Sequence, residues 1–209
     1  LQVFRDASRK NKEVYFGLKR EYMEYDDVFS NVIAQVRTEL AQLDTPPPSF
    51  MIMRPSSQLK KMITDPPRNA LYPAQNLDGD IFSDISAALG GSLATASSII
   101  ESKDGTMLFE APHGTAHDLY IKYLESDGKE ALFNSSALLY ALANALETLS
   151  EREENAELGE YAVSLKRALI DTVDAGIITG DLKGKTSDPD NETLVDMFGF
   201  LDAVESRLG

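Results

Sequence analysis

The stretch TMLFEAPHGTAHDLY, residues 106–120, runs from a β-strand pattern straight into a loop. Thr106–Glu110 is rich in apolar strand formers and predicts a strand. Pro112 suits a turn, and Gly114-Thr115 is poor helix chemistry. The chain's 2 histidines both lie here, His113 and His117, at the spacing of two ligands on one helical face. A helical zinc pair of the HExxH kind needs a glutamate after the first histidine, and Gly114 occupies that position. A strand followed by Pro-His-Gly-Thr-Ala instead offers backbone N–H groups of the kind that hold a phosphate or a dinucleotide. A plain structural turn accounts for the same residues.

Outward from this stretch, strand and helix patterns alternate. Glu13–Leu18 and Phe50–Met53 read as strands, and Ala70–Gln75 as a third. Tyr25–Leu43 places Val28, Phe29, Val32, Ile33, Val36, Leu40 and Leu43 at helical spacing, with Asp26 and Asp27 favourable at its start. Pro46, Pro47 and Pro48 then force an extended break. Ser56–Ile63 and Ile81–Leu89 read as short helices. Asn134–Leu149 is apolar nearly all round, which predicts a central buried helix. Glu157–Gly176 is amphipathic, and Thr193–Leu208 is the expected final helix. Such alternation predicts an α/β fold with a mostly parallel or mixed sheet.

Composition narrows the function classes. A length of 209 residues, with 43% hydrophobic and 26% charged, suits a soluble globular chain with a real core. The formal charge of −14 argues against nucleic acid. No apolar run reaches the roughly 18 residues of a membrane span. With no cysteine there is neither a disulfide framework nor a thiolate metal site. The cytoplasm is the default expectation, with organellar import left open. The chain begins at Leu1, which suggests a piece of something longer.

Three further segments invite chemistry. In NLDGDIFSD, residues 76–84, a helix starting near Asp80 would put the Asp80 and Asp84 carboxylates on one face. A hard cation such as Mg²⁺ or Mn²⁺ would take both, completing its shell with water, substrate oxygens and further carboxylates. The alternative is N-capping by Asp78 or Asp80 with Asp84 solvated. GDLKGKTSD, residues 180–188, is one residue short of a Walker A loop and reads as a surface loop. Asp188–Glu192 reads as a cap for the final helix. Lys19, ending EVYFGLK, is either a proton donor at a strand end or a solvated lysine.

The order VYFGLK, NLDGDIFSD, GGSL, FEAPHGTAHD, the Asn134 helix and TVDAGIITGDL resembles the β-decarboxylating dehydrogenases, the isocitrate and isopropylmalate dehydrogenase family. The tail looks most like the eukaryotic-type isocitrate dehydrogenases. The resemblance implies a partial, non-Rossmann α/β fold: 1–88 as part of a small dimerisation and metal domain, 89–209 as the C-terminal part of a large cofactor domain. It implies that Asp80 and Asp84 bind Mg²⁺ or Mn²⁺ and that Lys19 transfers protons, typically across the dimer interface. It places His113, Gly114, Thr115 and Ala116 around the adenosine half of a nicotinamide cofactor, with Asn134 reading adenine. The implied reaction passes hydride from substrate C2 to the nicotinamide, then releases CO₂ and protonates the resulting enolate.

NADP-using relatives carry basic or polar side chains just after HGTA, where this chain has Asp118 and Leu119. A carboxylate there suits the ribose hydroxyls of NAD and repels a 2′-phosphate, so NAD is the expected cofactor. A homodimer is expected too, with Tyr25–Leu43 as the interface helix. The family's third metal aspartate comes from the neighbouring subunit, and its position falls near SSQLKKMI, which has Lys60 and Lys61 and no acid. Its substrate-binding serine and arginines lie in an N-terminal half not contained here. Two alternatives follow: isopropylmalate or another 2-hydroxy-diacid as substrate, or a non-catalytic subunit that still binds nucleotide.

Overall fold

The computed structural model describes residues 2–9, 11–19, 24–42, 48–66, 69–92, 96–114 and 116–208. The side chains of Gln2, Arg5, Asp6, Arg9, Glu24, Tyr25 and Asn76 lie outside that description. The chain forms two compact units, Leu1–Ser86 and Ala87–Gly209.

The first unit is built on a parallel sheet of β1 (Glu13–Gly17), β2 (Phe50–Met53) and β3 (Ala70–Leu71), ordered β2-β1-β3. β1 is central, with Val14 opposite Phe50 on one side and Leu71 on the other. Strand side chains alternate faces, and both faces of β1 are covered. Val14, Phe16 and Leu18 pack against Phe4 and Ala7 of α1 (Gln2–Arg9) and Ile33, Val36 and Leu40 of α2 (Glu24–Ala41). The Phe4 ring meets Phe16 and Phe50 at centroid distances of 5.7 and 5.6 Å. Tyr15 faces the other way, stacked on Tyr72 at 5.5 Å with the Lys61 ammonium 5.2 Å from its ring. Its hydroxyl donates to Glu13, and that bond to a carboxylate, with burial behind it, raises the phenol to about 12. Lys61 belongs to α3 (Pro55–Thr64), whose Gln58 is buried behind β1.

Several expectations change here. Residues 1–13 read as polar and basic from the sequence, yet 2–9 form a helix that turns Phe4 and Ala7 inward, with Val3 partly buried against the same core. Val28, Phe29 and Val32 of α2 are exposed, so its apolar stripe is wider than the face it buries. The strand expected over Ala70–Gln75 stops at Leu71. α4 (Asn76–Leu89) begins at Asn76, so Asp78 and Asp80 lie within the helix and do not cap it. Leu43, Pro46 and Pro47 fall outside the described residues.

The second unit pairs α6 (Ser136–Glu153) with α7 (Ala156–Asp174), and α8 (Met197–Glu205) packs on α7. Leu165, Ala168, Leu169, Phe200 and Val204 form its core with Ala143. β4 (Ser98–Glu101) and β5 (Met107–Glu110) form an antiparallel hairpin. Asp104 closes its turn by accepting from Thr106 N and the Ser102 hydroxyl, and these bonds hold the carboxyl down at about 2. β6 (Ile177–Ile178) and β7 (Thr193–Leu194) pair in parallel. Gly176, at φ +77, ends the turn between α7 and β6, where an added Cβ would stand 2.6 Å from Asn191 O. No helix among the described residues is long and apolar enough to cross a membrane.

α6 buries Ala137, Ala141 and Ala143 while Leu138, Leu142 and Leu149 stay exposed, so it is not buried all round within this unit. Small residues let α7 approach it closely. The final helix starts late, since Thr193–Leu194 is strand and Asp196 is the cap, accepting from Gly199 N at 2.8 Å. Glu192 caps a different loop. Asp196→Ala should cost about 1 kcal/mol, read as a lower denaturant midpoint at unchanged slope.

Candidate cofactor and metal sites

Pro112 ends the run of β5, and Ala116 turns the chain into α5 (His117–Glu125). Ala116 does so at φ 49, a left-handed conformation unusual for a residue with a Cβ. The loop thereby faces a cavity of 290 Å³ inside the second unit. His113, Gly114, Ala116 and Asn134 line it, and Leu119, Leu132 and Phe133 give it apolar walls. Ser92 and Asp181 complete the lining. Such a volume is at the low end for small-molecule sites and holds one ring system with its sugar better than a whole dinucleotide. Thr115 lies outside the described residues.

Asp181 organises this wall. Its Oδ2 accepts from the Ser92 hydroxyl at 2.5 Å and the Asn134 amide at 2.9 Å; its Oδ1 accepts from the Thr179 hydroxyl at 2.6 Å. Partial burial pushes its pKa up, but the three side-chain donors outweigh that, and the carboxyl ends below its ordinary value. Lys185 fastens the same segment, its Nζ reaching Asp181 O at 2.8 Å and Gly91 O at 2.5 Å. Asn134 is held at both ends, because its Oδ1 accepts from Ser136 N at 2.9 Å. An amide has four hydrogen-bonding positions, so one N–H stays available to donate to a ligand's ring nitrogen and one lone pair to accept from an exocyclic amine. Apolar walls and an oriented amide are the donor set an adenine needs.

Asp118 is exposed in the first turn of α5, between Ala116 and Leu119, and does not line the cavity. His117 is exposed and helical, and the His113 ring contacts Gly114 O at 3.0 Å. No group of three or more His, Cys, Asp or Glu able to hold a metal occurs among the described residues.

In the first unit, α4 carries Asp80 and Asp84 one turn apart, both exposed. Two adjacent carboxylates of this kind fit a hard divalent cation as part of a shell of six or more oxygens. Lys19 is exposed where the chain leaves β1, and its backbone N–H donates to Asp26.

The loop 180–188 has its own anion. Gly184 N donates to both Glu192 oxygens, at 2.8 and 3.1 Å, and the Thr186 hydroxyl donates at 2.7 Å. Those bonds, from Gly184 first, lower the Glu192 pKa. The amide a phosphate would need is already taken by a carboxylate.

The model for the isocitrate/isopropylmalate dehydrogenase family matches residues 3–198. The mitochondrial isocitrate dehydrogenase [NADP] of Saccharomyces cerevisiae is 38% identical over 136 residues, covering 64% of this chain and 31% of that protein. Its Sus scrofa counterpart is 27% identical over 214 residues, covering 98% of this chain and 50% of that protein. The chain therefore spans half or less of the length of these relatives. A crystal structure of isocitrate dehydrogenase from Methylococcus capsulatus superposes with a TM-score of 0.75 at 24% identity, covering 99% of this chain and 54% of that one. The α/β fold is the same, in part.

Proposed function

The chain belongs to the isocitrate/isopropylmalate dehydrogenase family, and on that premise we propose that it supplies the metal-binding and cofactor-binding parts of an isocitrate dehydrogenase. The reaction would be oxidative decarboxylation of isocitrate to 2-oxoglutarate, in a homodimer. The observation that carries this reading is the cavity where His113, Gly114, Ala116 and Asn134 meet, with Asn134 oriented by Asp181. Its apolar walls take an adenine, and the loop before α5 offers backbone N–H groups beside it.

Asp80 and Asp84 would hold Mg²⁺ or Mn²⁺, which when bound supplies the positive charge that draws electrons toward a substrate carbonyl. Lys19 would hand a proton to the carbon left by departing CO₂. The test is isocitrate-dependent reduction of a nicotinamide cofactor with Mn²⁺, assayed on the longest polypeptide that carries this chain. Turnover with isopropylmalate and none with isocitrate would redirect the substrate assignment.

The curated relatives are named for NADP; for this chain we propose NAD. Asp118 stands in the first turn of α5, where its carboxylate would repel a 2′-phosphate. Asp118→Arg should shift the ratio of kcat/KM for NADP over NAD upward by tenfold or more, about 1.4 kcal/mol. An unchanged ratio would remove Asp118 from cofactor choice.

A second reading, a nucleotide-binding subunit without catalysis, is favoured by α3, which carries Lys60 and Lys61 and no acid. Separate titrations distinguish the two: cofactor binding without Mn²⁺ binding would support the non-catalytic subunit.

A further inference from the structure

We infer that Lys185 and Glu192 form a clamp that sets the Asp181 wall of the cofactor cavity, Glu192 being a positioning residue that acts through Lys185; this rests on the cavity's proposed role. Two turns distant in sequence meet at that wall, 90–92 and Gly180–Leu182. Their side chains join where the Ser92 hydroxyl donates to Asp181 Oδ2 at 2.5 Å. A hydrogen bond of this kind fixes a distance and leaves rotation about it. Lys185 joins the backbones of the same two turns, its Nζ donating to Gly91 O at 2.5 Å and to Asp181 O at 2.8 Å.

A lysine holds two chosen carbonyls only if its backbone is held, because its long flexible stem gives the ammonium a wide reach. Residues 183–188 lie in neither helix nor strand. Glu192 supplies the hold. Its two oxygens accept from Gly184 N at 2.8 and 3.1 Å, and one of them accepts from the Thr186 hydroxyl at 2.7 Å. It thus grips the residue on each side of Lys185. Glu192 in turn stands on a fixed base, since Thr193 N donates to Gly176 O at 2.8 Å and Val195 N to Ile178 O at 2.9 Å along the β6–β7 pair.

Both charges therefore go to backbone groups, the cation to two carbonyls and the carboxylate to an amide N–H. That pattern orients a loop, where solvated charges on a plain surface loop would not. The consequence reaches the cavity in two steps. Lys185 sets where the backbone of residue 181 stands against Gly91, and the Asp181 carboxylate then takes the Asn134 amide at 2.9 Å. An Asp181 that drifts carries Asn134 with it. Hydrogen bonds weaken steeply as their angle closes, so a turned Asn134 amide holds a ring nitrogen poorly.

Lys185→Met keeps the apolar stem and removes the donors. Its NADH affinity, followed by the cofactor's fluorescence, should fall about 3–10-fold, the scale of one modest hydrogen-bonded contact. Without cofactor, the Asn134 side-chain amide signal in an NMR spectrum should shift, which a loss of global stability alone would not cause. Glu192→Gln should weaken NADH by a similar factor, and the double variant no further than the weaker-binding single one, because the two residues act in series. Lys185→Met serves alone if Glu192→Gln does not fold. NADH affinity within twofold of the parent in Lys185→Met, an unmoved Asn134 signal, or a double variant whose loss is the product of the single ones would overturn the clamp. Asn134→Ala separates the two levels. If the parent chain binds NADH no better than Asn134→Ala, the cavity reading fails and the clamp's role with it; if Asn134→Ala weakens binding and Lys185→Met does not, only the clamp is wrong.

Discussion

Asp80→Asn is expected to reduce metal-dependent turnover by about 10²–10⁴-fold. The side chain keeps its shape and one acceptor oxygen but loses the charge that offsets a divalent cation. Lewis-acid assistance is worth several kcal/mol, and about 1.36 kcal/mol corresponds to tenfold in rate. Folding should not suffer. Asp80 is exposed on α4 and its side chain shares a face with Asp84, so removing one of two like charges at that spacing is neutral or slightly stabilising. The same variant should raise the Mn²⁺ dissociation constant in a calorimetric titration and leave the melting temperature within about a degree without metal. Retained turnover would reject the metal role of this pair.

Asp181→Ala carries the second large expectation. The carboxylate gathers three side-chain donors, Ser92 and Asn134 from distant parts of the chain and Thr179 from two residues away. Without it the Asn134 amide keeps only its bond from Ser136 N and can turn away from the cavity. Loss of a charge-assisted hydrogen bond costs about 1.5–3 kcal/mol, so cofactor affinity should fall by about 10–100-fold. A pH dependence follows from the lowered Asp181 pKa. A carboxylate whose folded value lies below its unfolded one, about 3.9, stabilises the fold fully above that unfolded value. The contribution fades as pH falls through the folded value. Acid unfolding of Asp181→Ala should therefore lack part of the parent's loss below about pH 4, seen as a shallower fall in stability with pH.

The sequence made some of this legible and hid the rest for identifiable reasons. β1 could be read because aromatic and β-branched residues crowd a short run, and the structure buries them on both faces. α4 was placed too late because Asp78, Gly79 and Asp80 look like turn chemistry. There a local preference yields to the bond from Gly79 N to Gln75 O and to the burial of Phe82. α6 looked central because Leu138, Leu142 and Leu149 surround it, yet its alanines make the close contacts.

At the candidate site, family resemblance pointed to the loop and to Asn134. Ser92 and Asp181 went unselected although both sat in quoted motifs, GGSL and TVDAGIITGDL. Nothing in either segment shows that its side chain meets the other across the fold. Asp26 was read as a favourable charge at a helix start, and only the folded chain brings Lys19 N and Gln75 to it. Glu192 was read as part of a cap for the final helix, whereas its partners Gly184 and Thr186 lie in the loop that precedes it.

The cavity bounded by His113, Gly114, Ala116 and Asn134 is proposed to bind the adenosine half of a nicotinamide dinucleotide. That binding is tested most directly by titrating NADH into the chain and following the cofactor's fluorescence, with Asn134→Ala in parallel. Saturable binding that weakens tenfold or more in Asn134→Ala, at unchanged melting temperature, is the predicted result. No saturable binding, or binding that Asn134→Ala leaves as it was, would contradict it.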